Sequence, residues 1–497
     1  MGVEPAGPWA QGGAHGLEHS IFDSGADGAN QDTVIVCDAQ TACEMTNGIL
    51  ANPAWGRARF RGATNDTRTL KKGNAFFCLA GGNADGHQFA ARARDLGAGA
   101  IFAEKSRAIE WKDWPIPVIG VHDPLTALGD LASIYRRNFK TRYVAITGSV
   151  GKTTTKELTA AALAAKYPVF KSPGNFNNLI GIPLALLSRR QGVAPAREIG
   201  VLEFGMSTPG EIRRLVEIVG PSWGVVTRIG AAHLLQMKSL TAIAKAKREL
   251  FDYADPRMTA FLNSDDPFQR RWMSRWHRPT ITYGLDQSHA PDISAADIAV
   301  TPQGIRFTVA RRRFTLKLAG DYNVPNALAA IAVARHLGVP YEAMIARLAR
   351  VKPEGDRSRL IRKAGVTLIA DCYNANPTST AAAIAALRRF PGASRRIAVL
   401  GAMRELGEHE LAAHHDIGAA AGALDIVVTV GPDARQYRNG AAGAAEWHSL
   451  EDRNAVAPFL AAALRPGDVV LFKGSHSERL EEIVRDVAAA LVKGQTT

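Results

Sequence analysis

One stretch limits the fold more than any other. The apolar run Tyr143-Val144-Ala145-Ile146-Thr147 leads into Gly148-Ser149-Val150-Gly151-Lys152-Thr153-Thr154 and then into the helix-forming run KELTAAALAA. Strand, glycine turn and helix in that order make a phosphate-binding loop. Its backbone N–H groups wrap phosphate oxygens, the helix N-terminus offers further donors, Lys152 reaches the terminal phosphates and Thr153 can ligate magnesium. The usual form of the loop carries an earlier glycine where this chain has Ile146, so a strict pattern search would pass over it. An accidental glycine turn with a surface lysine explains neither the strand before it nor the helix after it.

Such a loop belongs at the end of a parallel strand, and the surrounding pattern supplies more of them. From 141 onward, YVAITG, IGVLEFG, WGVVTRIG and MTAFLNSD are short apolar runs separated by helical segments, the mark of parallel strands with crossover helices. A second set begins near 355, with VTLIADC, RIAVLGA, DIVVTVG and DVVLFKG alternating with Ala-rich helices, and implies a further doubly wound sheet. Before both, AFFCL, AIFAE and PVIGV alternate with helical stretches such as QFAARARDLG. The fold class is therefore α/β in three domains. A small N-terminal α/β domain spans 33–140, a central phosphate-loop ATPase domain with a mainly parallel sheet spans 141–350, and a C-terminal Rossmann-like domain spans 351–497. Residues 1–32, rich in Gly and Ala without periodicity, read as a flexible extension. Within the central domain, 303–320 alternates like a two-stranded antiparallel ribbon, and 323–350 reads as two closing helices.

Composition narrows the function classes. With 60 Lys plus Arg against 47 Asp plus Glu, the net charge of +13 favours anionic partners. The basic residues are scattered, and the Arg311 to Arg313 cluster lies in a strand pattern without a nucleic-acid motif, so nucleic acid is not the expected partner. No apolar stretch of about 18 residues occurs and the N-terminus lacks a signal-peptide pattern, so no membrane insertion and a cytoplasmic location are expected. The four cysteines, Cys37, Cys43, Cys78 and Cys372, are too far apart for a zinc site or a disulfide framework.

Three further residues attract attention on chemical grounds. Glu203 ends the buried-strand run VLEFG, where an unpaired carboxylate is costly to desolvate, and a magnesium ion beside a nucleotide is a natural partner. His233 follows another strand end and opens on the same sheet edge. In AIAKAKRELF, Lys245 and Lys247 read by spacing alone as a solvated helix face.

Taken in order, TGSVGKTTTKE, GNFNN, EFGMSTPGEI, AAHLLQMKSL, AKAKRELF, GDYNVPNALAA, DCYNANP and VLGAMRELGE resemble the Mur ligase family over about residues 60 to 485. Tyr373-Asn374-Ala375-Asn376-Pro377, with the N-terminal NDTR and DGHQF segments, points to the MurF branch, which adds D-alanyl-D-alanine to UDP-N-acetylmuramoyl-tripeptide in peptidoglycan synthesis. The resemblance implies an ATP-dependent acid–amine ligase, monomeric, that uses ATP and two magnesium ions to make an acyl phosphate from an anionic, UDP-linked acid. The phosphate is then displaced by an amino acid or dipeptide. It implies that Gly148, Ser149, Val150, Gly151, Lys152, Thr153 and Thr154 hold the phosphates. Thr153, Glu203 and His233 would ligate magnesium, joined by Lys247 once CO2 has converted it to a carbamate, which overturns the solvated-face reading. Asn323 and Asn326 would contact adenine, Arg357 the γ-phosphate and Asp371 the ribose. Lys152, His233, Lys247 and Arg357 would form the catalytic set. Asn177, Asn178, Tyr373, Asn374 and Asn376, with Thr67, Arg68, Asp85 and His87 of the N-terminal domain, would bind the substrates.

Some positions depart from the branch's pattern. Leu235 stands where an acid usually follows AHL, Tyr322 replaces a histidine, Ala402 the aspartate of GDM, His476 the arginine of KGSR, and Ser207 and Thr208 an Asn-His pair. Most of these changes fall near acid or amine recognition, where one lost charged hydrogen bond can redirect specificity. Two alternatives follow: a related ligase that joins a different acid and amine in specialised metabolism, and a nucleotide-binding partner protein that no longer catalyses.

Overall fold

The computed structural model describes residues 37–82, 84–189, 195, 197–441, 443 and 445–493. The N-terminal extension read over 1–32 lies outside them. The chain forms two compact units, the first taking the sequence up to Ala127 and the second nearly all that follows.

In the first unit, AFFCL, AIFAE and PVIGV become the neighbouring parallel strands Ala75–Phe77, Ala100–Glu104 and Val118–Val121. Ala63–Thr64 extends the sheet in parallel and Ile49–Leu50 closes the other edge antiparallel, giving five strands. Phe76, Ile101, Ala103 and Val118 form its core with Ala90 and Ala93 of the helix Ala90–Asp95 and Ala108 of the helix Lys105–Glu110. Small helix residues let these short helices lie close to the sheet.

The second unit contains two large sheets. One has seven strands, all parallel, in the order Ile293–Ser294, Thr280–Gly284, Thr259–Asn263, Trp223–Val226, Arg142–Thr147, Ile199–Glu203 and Val169–Lys171. Alternate residues serve opposite faces, as strand geometry requires. Val144, Ile146, Val201 and Val225 meet the helices Lys152–Leu163 and Val324–His336. The helix Leu240–Asp252, capped by the Ser239 side chain, packs against the Trp223–Val226 and Arg142–Thr147 strands. Covered on both sides, the central strands are mostly apolar, with polar residues gathered at their ends.

The 303–320 segment forms the two-stranded antiparallel ribbon read from its alternation, Gly304–Val309 with Arg312–Leu316, and a third strand from before it is added. With Ala296–Thr301 paired antiparallel to Gly304–Val309, the sheet has three strands. The added strand is mostly exposed and carries no apolar alternation that would betray it. Arg311, Arg312 and Arg313 are exposed there, a solvated edge.

The second sheet has six strands in the order Arg359–Lys363, Val366–Ala370, Val469–Lys473, Arg396–Gly401, Ile426–Val430 and Glu446–Leu450, parallel except for the first. Helices Val456–Ala463 and Leu480–Lys493 build the core on one face through Val456, Leu460, Ile483, Val484 and Val487. The helix Pro377–Arg388 lies against the Val469–Lys473 and Arg396–Gly401 strands. This is the doubly wound, Rossmann-like arrangement expected of the third domain.

Candidate active site

Ligands in parallel sheets bind beyond the carboxyl ends of the strands. A cavity of about 940 Å³ lies there in the second unit, between the phosphate loop and the Rossmann-like sheet. That volume suits a nucleotide with part of a second substrate. Of the candidates read from the sequence for nucleotide, metal and amine, all but Gly148 and Lys247 line it.

The loop's shape depends on its glycines. Gly148 has φ +146° and a Cβ there would stand 1.9 Å from the Thr227 hydroxyl; Gly151 has φ +86° and its Cβ would meet Asn326 Oδ1 at 2.2 Å. Only glycine allows both the backbone angle and the approach. The Ser149 N–H donates to the Arg228 carbonyl at 2.7 Å and the Thr227 hydroxyl to the Val150 carbonyl at 2.6 Å, fixing the turn to the next strand end. Lys152 folds over this turn, its Nζ donating to the Gly148 carbonyl at 2.9 Å. Desolvation lowers its pKa, Glu203 opposes the shift and Arg357 adds to it. A cation held partly desolvated beside open N–H donors is an anion site.

Glu203 is 2% exposed. One carboxylate oxygen accepts from Asn177 Nδ2 at 2.9 Å, while the buried Oε2 has no hydrogen-bond partner among the described residues. An oxygen so placed is an available ligand for a hard cation. Lys247, 1% exposed, is buried although Lys245 on the same helix is exposed, so the solvated-face reading holds for only one of the two lysines. Among the described residues no hydrogen bond or ion pair reaches its ammonium. Burial, with Lys152 nearby, pushes its pKa well below the ordinary lysine range, and Glu203, Glu211 and Glu249 counter only in part.

His233 has a left-handed backbone, φ 57°, and its Nδ1 lies 2.6 Å from the Glu405 carboxylate of the Rossmann-like domain. Among the described residues no three His, Cys, Asp or Glu side chains converge as a ready-made metal cage.

Other expected contacts take different forms. Asn323 donates to the Ala319 carbonyl at 2.8 Å and to Ser358, and Asn326 donates to Asn323 at 3.0 Å, so both amide NH2 groups serve the protein. Asp371 accepts from the Ser358 N–H at 3.0 Å and pairs with Lys473 at 3.1 Å. Arg357 lies over the Tyr373 ring at 3.4 Å, and His476 stacks on that ring at 5.5 Å. Asn376 caps the helix Pro377–Arg388 in a reciprocal pair with Ser379; Asn374 accepts from Ala375 N–H at 2.9 Å, and Asn178 from Gly181 N–H at 2.8 Å. These asparagines shape the cavity wall as well as facing it.

Lys473 was missed by the sequence reading. It ends the apolar strand Val469–Lys473, is 3% exposed and lines the cavity. A charge at a buried strand end, the signal that marks Glu203, marks it equally. Thr227 and the Asp321–Arg389 ion pair, 2.9 Å across the cavity rim, carry no such signal.

The four N-terminal candidates lie in the other unit. Asp66 holds the Arg68 guanidinium through two nitrogens, 2.7 and 2.9 Å, with the Arg68 side chain 84% exposed; Thr67 between them is half-buried. His87 gives Nδ1 to Asp85 at 2.6 Å and accepts the Glu104 N–H on Nε2 at 3.1 Å, which specifies a neutral ring protonated at Nδ1.

Comparison with known proteins follows the same three-part order. Residues 59–136 match the Mur ligase family catalytic domain, 146–334 the Mur ligase middle domain and 356–476 the Mur ligase glutamate ligase domain. The chain is 35% identical to the UDP-N-acetylmuramoyl-tripeptide–D-alanyl-D-alanine ligase of Bacillus subtilis, over 89% of its own length and 96% of that enzyme. It is also 35% identical to the enzyme of that name from Escherichia coli, covering 85% and 92%. Among solved structures, MurF from Acinetobacter baumannii superposes with a TM-score of 0.82 at 29% identity, covering 92% of this chain and 100% of that one. MurF ligase from Thermotoga maritima in complex with ADP gives 0.77 at 32% identity, covering 87% and 98%. With every domain matched in order and full-length relatives above 30% identity, the chain belongs to the Mur ligase family.

Proposed function

We propose that this protein is an ATP-dependent ligase that joins D-alanyl-D-alanine to UDP-N-acetylmuramoyl-tripeptide during peptidoglycan synthesis, in the cytoplasm. The observation that carries the chemistry is the pairing, in one cavity, of a phosphate loop with a buried Glu203 carboxylate oxygen that lacks a partner among the described residues. Relatives of that specificity, alike over nearly the whole chain, support the substrate assignment.

In this reading a carboxylate oxygen of the acid attacks the γ-phosphorus of ATP and ADP leaves. The acyl phosphate so formed is attacked at its carbonyl carbon by the dipeptide's amine. The amine loses a proton, the tetrahedral intermediate collapses and phosphate departs with the oxygen that came from the acid. Two anions must meet, so the chain contributes positioned cations and donors and needs no covalent nucleophile. Lys152 and Arg357 would hold the outer phosphate, and the loop N–H groups the others. Glu203, Thr153 and His233 would hold magnesium, which neutralises phosphate charge when bound. Lys247 suits carbamylation: burial favours its neutral amine, the form whose lone pair adds to CO2, and the product is a carboxylate in place of a buried cation.

The test is substrate dependence. ADP should form only when both UDP-linked tripeptide and D-alanyl-D-alanine are present, with a product whose mass equals their sum less one water. Turnover absent with both supplied would remove the assignment. A second reading, the same chemistry on another acid or amine, is favoured by His476, which stacks on Tyr373 where the MurF branch carries arginine. A screen of acids and amines for coupled ADP formation separates the two.

A further inference from the structure

The contact between His233 and Glu405 joins two domains and lies outside every role discussed so far. Glu405 follows the Arg396–Gly401 strand in a loop anchored at each preceding residue. The Ala402 carbonyl accepts the Ser475 N–H at 3.1 Å, the Met403 N–H donates to buried His414 at 3.1 Å, and Arg404 bridges Glu478 and Asp433, both at 2.7 Å. At Glu405 the backbone turns left-handed, φ 63°, and leaves this network. Its carbonyl accepts the Leu235 N–H at 3.0 Å, and its carboxylate lies 2.6 Å from His233 Nδ1. His233 is itself left-handed at the start of the turn Leu234–Met237 and lines the cavity. Both strained residues are thus held by a contact on the other domain, the pattern expected where a side chain must be aimed.

We propose that Glu405 is a positioning residue for His233. Its carboxylate takes the Nδ1–H, which fixes the tautomer whose Nε2 keeps a free lone pair for a cavity ligand. A carboxylate behind a histidine is the usual means of orienting such a ring. Because the loop is anchored in the Rossmann-like domain, the histidine is completed only when that domain docks on the central one. Only the activity arm of the test rests on the ligase reading.

The direct readout needs no substrate: long-range proton–nitrogen spectra of the full chain labelled at histidine nitrogen, with His233→Gln to assign the ring. Wild type should show Nδ1 protonated and Nε2 bare, and Glu405→Ala should lose that pattern; an unchanged pattern overturns the proposal. Glu405→Gln, whose amide oxygen can still accept the Nδ1–H, should keep it, and should decide the matter alone if Glu405→Ala does not fold. In turnover, Glu405→Ala should lower kcat about 10- to 100-fold with the KM for ATP within about threefold. Glu405→Gln should recover most of the loss. In a His233→Gln background Glu405→Ala should cost nothing more. Equal loss for Ala and Gln, or a full further loss in that background, would mean a domain latch and overturn the assignment.

Discussion

The central site and the N-terminal segments around Arg68 and His87 treat their polar groups in opposite ways. At the central site, among the described residues, Glu203 keeps a buried oxygen without a partner and the buried amine of Lys247, just behind the cavity wall, has no hydrogen bond or ion pair. In the N-terminal unit, Asp66 holds Arg68, and both ring nitrogens of His87 are used by Asp85 and the Glu104 N–H. Buried polar groups are normally satisfied, so those left open mark where a ligand supplies the missing partner. Those already closed hold a surface in shape.

Substitutions should divide along the same line. The largest effect is expected at the phosphate loop. Lys152→Met should lower kcat about 1,000-fold and Glu203→Gln about 100-fold, each with little change in Tm, read by ADP release and calorimetry. Near-normal turnover in either would erase the contrast.

Lys247 gives a stability effect with a definite sign. Its folded pKa lies below the unfolded value of about 10.4, so the unfolded chain holds a proton that the folded chain releases. Stability therefore rises with pH from the folded value up to the unfolded one, and falls as pH drops through the folded value. Urea titrations across pH in CO2-free buffer should show this slope in wild type and lose its Lys247 share in Lys247→Met. Identical slopes would mean that burial does not lower the lysine's pKa. The smallest functional effect is expected in the N-terminal unit. His87→Ala leaves the Glu104 N–H without its acceptor and should cost about 1–3 kcal/mol of stability, while kcat stays within about threefold. A loss of kcat like that of Lys152→Met would show that the two regions do not differ in kind.

Much of this division was legible in the residues. Strands buried on both faces are mostly apolar, so a charged residue at a strand end stands out, as Glu203 did and Lys473 should have. The solvated-face reading of Lys247 was avoidable on the same grounds. Ile243, Ala246, Lys247 and Leu250 recur at helical spacing along one buried stripe, which Lys245 leaves. The strand Ala296–Thr301 escaped because exposure removes the alternation that reveals strands. The pairing of His233 with Glu405 could not be read at all, since it arises from two loops on different domains and has no local pattern.

The central claim is that a phosphoryl group passes to the acid before the amide forms. Acid labelled with oxygen-18 in its carboxylate, given with ATP, D-alanyl-D-alanine and the purified protein, tests it directly by mass spectrometry of the phosphate released. One labelled oxygen per phosphate, matched to each amide formed, is the expected result. Phosphate free of label while amide accumulates would contradict the account.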